Sequence, residues 1–413
     1  MTERYRTPAK ARALAMLLFV SSGAVASGQV DRSPLERVSG RNYTSVFQAW
    51  NPAEISSGED LDDTARLRVV AKHDVLWEEP VSQLGYGVEL ALGAVWDGEY
   101  GGLADRFTSD SQAKALENRK EMLCLNPAMV FLLEVRWRDA PGSFLPEDSP
   151  FWQRNADGTR VLGWANGPEP YYMLDADNEA FAKNIARQSK IAVESGVYDG
   201  VMFDWDGHLP IVRTCREVIG DAGLIVVNIH DRIDEGLAYG RLINGAFMEL
   251  SPAGPGAPGR TLGTWESSRE ALIVFENEFR EPRINCLEAW GDRSDLRRMR
   301  AVTTLGLTHS DGSVLYADPN PLPTPDHLHD WYDFWDVPLG MPTGSVRLRE
   351  DGAYERSFSN GLVIYNPLGN GTVNIEFDSP RRSAADASTG SEFKIADADG
   401  DIFLVPDKPD RSQ

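Results

Sequence analysis

The chain has 413 residues, of which 42% are hydrophobic, 25% charged and 9% aromatic. This is a globular composition, and it excludes a disordered tail, a collagen-like fibre and a small disulfide scaffold. The 63 acidic and 41 basic residues give a net charge of -22, which would repel phosphate backbones, so a nucleic-acid partner is not expected. The length predicts two domains, or one barrel-sized domain with an accessory module.

The first 26 residues have the features of a cleaved signal peptide. Arg4, Arg6, Lys10 and Arg12 precede the apolar run Leu14–Val20, and the small residues Ala24-Val25-Ala26 follow it. This order is typical of exported proteins, and the apolar run is too short to cross a bilayer. We therefore expect a periplasmic or extracellular protein that is not integral to a membrane and is a monomer.

Strand-like apolar runs alternate with helix-like segments between residues 44 and 340. The predicted strands are Thr44–Trp50, His73–Trp77, Met129–Trp137, Gly200–Asp206, Leu224–Ile229, Ile243–Leu250, Arg283–Trp290 and Gly312–Tyr316. The predicted helices are Ala65–Val70, Ser111–Leu125, Ala180–Ser195, Val212–Ile219, Trp265–Phe279 and Asp295–Leu305. Eight such units fit an α/β fold, a closed (β/α)8 TIM barrel with a parallel sheet. A doubly wound open sheet is the alternative, but no Gly-x-Gly-x-x-Gly loop follows the first strand.

The pattern changes after the proline-rich stretches 319–325 and 338–342. Short alternating runs follow, separated by turn sequences at Asn360-Gly361, Gly369-Asn370-Gly371 and Asp399-Gly400. They predict a small C-terminal antiparallel β-domain, which we expect to be sandwich-like. The predicted boundaries are 1–26 for the signal peptide, 27–342 for the barrel and 343–413 for the β-domain. The acidic stretch 397–401 has its glycine misplaced for a calcium loop, so we predict a solvated hairpin turn.

Neither a metal centre nor a cofactor is predicted. The six histidines are scattered, and His327-x-His329 lies in a proline-rich stretch expected at the surface, without the usual ligand spacing of a zinc site. Cys124, Cys215 and Cys286 share no Cys-x-x-Cys spacing. We expect all three to be free, because unpaired cysteines are commonly buried, with one disulfide as the alternative in an oxidising compartment.

Acidic and aromatic residues collect at the carboxyl ends of the predicted strands, where such barrels carry their function. Asp204 and Asp206 end the fourth strand, Glu249 the sixth and Glu288 the seventh. Buried carboxylates must be paired or face a solvent-filled pocket. Flat rings beside carboxylates and an amide suit a sugar, which stacks and hydrogen-bonds. The predicted substrate-binding residues are Trp50, Trp77, Arg136, Trp137, Trp205, Asn228, His230 and Trp290.

Glycoside hydrolysis needs two carboxyl groups that flank one bond. We predict Asp204 as the nucleophile or charge stabiliser, with Asp206 on the same face by period-two alternation. Glu249 is the predicted general acid, and Glu288 is the reserve for that role. Structural roles remain open for these residues, namely a helix N-cap for Asp204, arginine pairs for the two glutamates and a turn position for Asn228.

Several segments of the chain resemble one family of barrels. They are NPAMVFLLEVRWRDAPGSFLPEDSPFW, DADNEAFAKNIARQSKIAVESGVYDGVMFDWDG, LIVVNIH, INGAFMEL and, near the C-terminus, RSFSNGLVIYNP. From about Asn42 to Val405 the sequence resembles the glycoside-hydrolase-like family 15, which is distinct from the glucoamylases of the same number. The resemblance implies a TIM barrel of the α-galactosidase and polygalactosaminidase kind. It also implies that acids ending strands four and six form the catalytic pair, which here are Asp204 and Glu249.

The sequence thus predicts an exported, retaining glycoside hydrolase that acts on an α-linked poly- or oligosaccharide. The alternative is a carbohydrate-binding barrel without catalytic activity, and the variants Asp204→Asn and Glu249→Gln would separate the two. A sugar lyase or a metal-dependent deacetylase is disfavoured, because the chain is strongly acidic and has no histidine-rich ligand set.

Overall fold

The computed structural model describes residues 32–50, 63–79, 92–164, 169–205, 207–250, 264–318 and 327–406. The predicted signal peptide and Asp206 lie outside these ranges. The described residues form an eight-stranded parallel sheet, a six-stranded antiparallel sheet and a small two-stranded sheet. This is the predicted fold class, a (β/α)8 barrel followed by an antiparallel β-domain. A search of the helices in these ranges finds none with the length and apolar character needed to span a bilayer.

The barrel strands are arranged in chain order, and every predicted strand run overlaps one of them. They are β1 (Phe47–Ala49), β2 (Val75–Glu78), β3 (Val130–Glu134), β6 (Gly200–Phe203), β7 (Leu224–Asn228), β8 (Gly245–Leu250), β9 (Cys286–Trp290) and β10 (Ser313–Ala317). A parallel bridge between Val46 and Val314 joins the first strand to the last. Two further strands, β4 (Asp139–Pro141) and β5 (Tyr171–Met173), pair with each other outside the barrel.

The barrel strands are mainly apolar because both faces of the sheet are covered. All residues of β3, β7 and β9 are buried. Gly200 begins β6, and a Cβ atom at this position would overlap the carbonyl group of Leu224. Glycine therefore allows β6 and β7 to start side by side at normal strand spacing.

Helices lie between the strands and begin close to the predicted positions. They are α1 (Pro34–Ser39), α2 (Asp63–Val70), α3 (Ser109–Leu125), α4 (Glu179–Glu194), α5 (Leu209–Ile219), α6 (Ile233–Tyr239), α7 (Trp265–Glu278) and α8 (Leu296–His309), with 3-10 turns at Gly101–Leu103, Gly240–Leu242 and Asp333–Trp335. The side chains of Asn178 and Asp295 cap α4 and α8 by accepting backbone N–H bonds. The short helices α1 and α6 were not predicted.

The C-terminal strands form one antiparallel sheet, where a sandwich-like arrangement was expected. They are β11 (Arg347–Leu348), β12 (Tyr354–Ser357), β13 (Gly361–Asn366), β14 (Val373–Ser383), β15 (Thr389–Ile395) and β16 (Asp399–Leu404). The order in the sheet is β11-β12-β13-β16-β14-β15. Because β16 lies between β13 and β14, the segment Gly369-Asn370-Gly371 connects two unpaired strands and does not close a hairpin.

This sheet packs on the outer face of α8. Arg300 of α8 donates to both carboxylate oxygens of Asp399, at 3.0 and 2.8 Å. The side chain of Asp401 accepts from the backbone N–H of Ala385 at 3.0 Å. A turn forms at 397–398, as predicted. Asp399 and Asp401, however, belong to β16 and are only 8% and 6% exposed, so the prediction of a solvated hairpin turn over 397–401 was wrong for these residues.

All three cysteines are free in the structure, as expected. Cys215 and Cys286 are buried, whereas Cys124 is exposed. Burial raises the pKa of the Cys215 thiol to about 12, which keeps it protonated and unreactive at neutral pH.

Candidate active site

Two predicted catalytic acids and a predicted substrate-binding amide meet at the carboxyl ends of β6, β7 and β8. Nδ2 of Asn228 donates hydrogen bonds to Oδ1 of Asp204 at 2.8 Å and to Oε2 of Glu249 at 3.0 Å. Because one nitrogen reaches both carboxylates, their oxygens lie closer together than the sum of these two distances. Asn228 is therefore a bridge between the acids and not an isolated turn residue.

Asp204 lies directly after β6, and neighbouring groups shift its pKa in opposite directions. Burial raises the pKa of this carboxyl, while the Asn228 hydrogen bond and the Arg136 charge lower it. The indole N–H of Trp137 donates to the backbone oxygen of Asp204 at 2.5 Å. Asp204 is not a helix cap, because α5 begins five residues later with His208 at its N-cap position.

Glu249 is the penultimate residue of β8 and is 8% exposed. Burial is the main reason that its pKa is raised to about 8, and the negative charges of Glu288 and Asp204 raise it further. Within the described ranges no arginine or lysine pairs with Glu249. Nδ1 of His230 lies 3.8 Å from Oε2 of Glu249. Glu249 thus has the environment of a carboxylic acid that keeps its proton near neutral pH.

Glu288 is completely buried beside Glu249, and its partner is a histidine where an arginine was expected. Nδ1 of His327 lies 2.9 Å from each carboxylate oxygen of Glu288. His327 and His329 are only 2% and 0% exposed, so the prediction that they lie at the surface was wrong. Sequence reasoning missed His327 because its segment has no periodic pattern. The available signal was that it follows the eighth strand, where the chain is at the barrel mouth.

Arg136, predicted to bind substrate, is buried in a group of acids at the end of β3. Its guanidinium forms ion pairs with Glu79 and, at 3.3 Å, with Glu134. Burial raises the pKa of Glu134 to about 7, against the lowering effect of Arg136. The indole N–H of Trp50 donates to Glu134 at 2.5 Å. Arg136 therefore balances buried negative charge next to Asp204.

The predicted substrate-binding tryptophans differ in how far they are exposed. Trp77 is 0% exposed. Its ring stacks on Phe47 at a centroid distance of 5.1 Å and meets the Phe247 ring edge-on at a centroid distance of 5.0 Å. The prediction that Trp77 offers a face to a ligand was wrong, because a residue inside β2 points into the packed barrel interior. Trp205 is 36% exposed, and the guanidinium of Arg138 lies 4.1 Å from its ring centre.

The other three tryptophans are partly or largely buried around the mouth. Trp137 is half-buried and stacks on His208 at 6.0 Å. Trp50 and Trp290 approach the His327 ring, at centroid distances of 4.8 and 6.3 Å. These rings form an apolar wall around the acids and limit the access of water.

Backbone strain is concentrated at the same end of the barrel. Six non-glycine residues in the described ranges have a left-handed backbone conformation. Four of these lie at the mouth, namely Trp50, Trp205, His230 and His327, with φ between +47° and +61°. Such conformations cost energy and persist where the surrounding structure enforces them, as it does at functional sites.

Five of the predicted substrate-binding side chains each have a buried polar atom without a hydrogen-bond partner in the protein. Two of these atoms are Nε1 of Trp77 and Nε of Arg136. The other three, on side chains at the ends of β7 and β9, are Oδ1 of Asn228, Nδ1 of His230 and Nε1 of Trp290. Burial lowers the pKa of His230 to about 4, so this ring is neutral at physiological pH. Together the three side chains offer donors and acceptors that match hydroxyl groups of a ligand.

One group of side chains in the described ranges brings three ligand-type atoms within 4.8 Å of one another: Glu249, Glu288 and His327. Within this group, Nδ1 of His327 and Oε1 of Glu288 are 2.9 Å apart, which is an ion-pair distance.

Solved α-amylase structures share this fold. The α-amylase from Lactobacillus plantarum aligns with a TM-score of 0.53 at 11% identity, covering 90% of this chain and 100% of that chain. The α-amylase from Malbranchea cinnamomea aligns with a TM-score of 0.51 at 12% identity, covering 90% and 97%. A noncanonic maltogenic α-amylase from Thermotoga neapolitana aligns with a TM-score of 0.50 at 11% identity, covering 89% and 100%. No protein-family model matches the sequence, and no curated protein matches it.

Proposed function

We propose that this protein is a glycoside hydrolase in which Asp204 and Glu249 flank the scissile bond. The observation that carries the proposal is the hydrogen bonding of one Asn228 nitrogen to both carboxylates at the mouth of the barrel. Two carboxyl groups held at a fixed, short separation are the machinery that this reaction needs. Similarity in fold to structures described as α-amylases supports the same reaction class.

The two carboxyls differ in the way that the mechanism requires. Glu249, with a pKa of about 8, holds a proton that it can give to the leaving oxygen. Burial raises the pKa of Asp204, and Asn228 and Arg136 act against that rise, whereas Glu249 has no arginine or lysine beside it in the described ranges. We therefore assign the carboxylate nucleophile to Asp204. After the leaving group departs, Glu249 as a carboxylate takes a proton from the water that releases the sugar.

The short separation of the pair favours retention of configuration. Retaining enzymes hold their carboxyls about 5–5.5 Å apart and inverting enzymes about 6.5–9.5 Å. Oxygens that are 2.8 and 3.0 Å from the same nitrogen cannot reach the inverting range without moving away from Asn228. We therefore propose a covalent glycosyl intermediate on Asp204.

The surroundings of the pair support a carbohydrate substrate. Asn228, His230 and Trp290 have unpartnered polar atoms for sugar hydroxyls, and Trp205 presents an exposed ring at the rim on which a sugar can stack. From the resemblance in sequence we propose membership of the glycoside-hydrolase-like family 15 and an α-linked poly- or oligosaccharide as substrate.

Further parts of the proposal rest on sequence alone. Residues 1–26 direct export, 27–342 form the catalytic barrel and 343–413 the accessory domain, and the protein is a monomer. Size measurement of the purified protein and N-terminal sequencing of the secreted form test these assignments.

The central test measures hydrolysis by the purified chain of aryl glycosides and of an α-linked polysaccharide panel. We expect Asp204→Asn to lose activity on every substrate. Glu249→Gln should retain part of its activity on an aryl glycoside with a good leaving group, which needs little protonation. Azide should restore turnover to Asp204→Ala by giving a glycosyl azide, because it replaces the missing nucleophile.

Glu276→Gln is the matched control for Glu249→Gln. Glu276 is also buried, but it binds Ser310 and Asn285 at the opposite end of the barrel. If Asp204→Asn and Glu249→Gln hydrolyse as well as the wild type, the proposed pair is wrong. If no sugar is released but the ligand binds, the protein is the carbohydrate-binding barrel that the sequence left open.

A further inference from the structure

We propose that Glu288 and His327 form a buried ion pair beside Glu249, in which Glu288 favours the acid form of Glu249 and His327 limits that effect. Both then act through Glu249, and Glu288 is not a reserve acid. The proposal rests on the proposed role of Glu249. It gives a role to His327, which was expected at the surface and was not among the predicted site residues.

Glu249 and Glu288 are register partners on the parallel strands β8 and β9. Side chains in register on neighbouring strands point to the same face of a sheet. Polar atoms of Glu249, Glu288 and His327 accordingly lie within 4.8 Å of one another. The fold therefore places a second carboxyl next to the acid, and His327 provides the opposite charge.

His327 is fixed by contacts on several sides. Its Nδ1 lies 2.9 Å from both oxygens of Glu288, with side-chain exposures of 1% and 0% for the two residues. Its ring packs near Trp50, Phe247 and Trp290. Charges in such an apolar enclosure are weakly screened, so each member of the pair acts on Glu249 over a short distance with little attenuation.

The other groups facing Glu249 come from the ends of β6 and β7. Asn228 donates to Glu249 and lowers its pKa, and the charge of Asp204 raises it. His230 is neutral at physiological pH, because burial lowers its pKa to about 4. Glu134 and Arg136 lie beyond Asp204 and act on that residue. Glu288 and His327 are thus the charged groups on the β9 side of the acid.

The two members of the pair act on Glu249 in opposite directions. The negative charge of Glu288 raises the pKa of Glu249, and the positive charge of His327 lowers it. Neutral replacements should therefore shift the pKa of Glu249 in opposite directions. A loss of packing alone would not give effects of opposite sign.

The experiment follows the Glu249 carboxyl directly by carbon NMR of the purified chain labelled at glutamate Cδ, with Glu249→Gln identifying the signal. In Glu288→Gln we expect the pKa of Glu249 to fall by about one unit or more, and in His327→Gln to rise by a similar amount. The alkaline limb of the pH–rate profile should move in the same two directions, while KM changes less than kcat.

Two further variants keep the test decisive if Glu288→Gln does not fold. Glu288→Asp keeps the charge and should leave the pKa of Glu249 close to the wild-type value. The control Glu276→Gln removes a buried carboxyl at the other end of the barrel and should leave it unchanged. Shifts of the same sign in Glu288→Gln and His327→Gln, or none in His327→Gln, would overturn the ion-pair proposal. The NMR result needs no hydrolysis, so a failed proposed function is distinguishable from a failed ion pair.

Discussion

Asp199 and Asp204 lie at opposite ends of the strand β6 and have opposite surroundings. Asp199, which precedes the strand, is bound by the guanidinium groups of Arg37 and of Arg119, the latter at 2.7 Å, and by the backbone N–H of Phe131 at 3.0 Å. Asp204, which follows the strand, accepts one side-chain hydrogen bond from the part of the chain that the structure describes, that of Asn228. The first carboxylate is fully paired, whereas the second keeps capacity to interact with something else.

This difference divides the barrel into two ends with different tasks. Asp199, at the amino end of β6, is neutralised by two arginines, which stabilises the fold. At the carboxyl end, Glu249 lies close to Asp204 and Glu288. In the described ranges it has no arginine or lysine partner, which costs stability. Such a cost is typical of a site that uses its side chains for chemistry.

The sharpest test of this contrast is Asp204→Asn. We expect hydrolysis to fall by about 10³-fold or more, because the nucleophile is lost. Stability should stay the same or increase, because folding raises the pKa of Asp204 and an amide avoids burying a disfavoured charge. Steady-state kinetics measures the loss of hydrolysis, and urea unfolding of the same preparation measures the stability. A large loss of stability would place Asp204 with Asp199 as a structural residue.

The reciprocal variant is Asp199→Asn. It should lose about 3–5 kcal/mol of stability, because Arg37 and Arg119 would be left buried without their shared counter-charge. The folded fraction should hydrolyse substrate with an unchanged kcat, since the change lies at the far end of β6. Urea unfolding measures the loss of stability, and active-site titration gives kcat per folded molecule. A reduced kcat would contradict the assignment of Asp199 to the structural end of the barrel.

The third test uses the pH dependence of stability. The pKa of Glu249 is about 8 in the folded protein against an ordinary value of 4.5, so between these pH values the folded state binds more protons than the unfolded state. The free energy of unfolding should therefore fall as the pH rises from about 4.5 to about 8. Glu249→Gln should reduce this slope. Urea unfolding of both proteins at about pH 5 and about pH 8 is the measurement, and identical slopes would refute the raised pKa.

The smallest expected effect concerns the rim. Trp205→Ala should weaken substrate binding by about 0.5–1.5 kcal/mol if a sugar stacks on the ring, with little change in stability. Trp77→Ala should instead cost about 3–5 kcal/mol of stability, because that ring is enclosed. KM values and unfolding midpoints compare the two. Unchanged binding in Trp205→Ala would remove this ring from the site.

The sequence predicts the barrel well because its strands are short continuous apolar runs between capped helices. It also locates Asp204, Asn228 and Glu249, since the residues ending parallel strands meet at one edge of the sheet. It does not separate Trp77 from Trp205: Trp77 lies inside its strand and points inward, whereas Trp205 follows its strand. That distinction depends on a shift of a single residue in the strand boundary, which local pattern does not define.

Other features depend on contacts between distant parts of the chain. His327 has no local signal for burial, and its position is defined by Glu288, 39 residues earlier. Asp399 lies in a sequence typical of a turn, but Arg300, 99 residues away, draws it into a strand. Both residues are placed by tertiary contacts that override local preference.

The closure of the barrel has a consequence for how the protein folds. Ser45 and Ser313 join the first and last barrel strands through a contact of 2.8 Å between residues 268 positions apart. A chain emerging from the ribosome cannot complete the barrel until β10 has been made, and the outer face of α8 stays uncovered until β16 follows. Contacts of such long range slow folding. The protein should therefore acquire its native structure late, after nearly all of its residues have been synthesised.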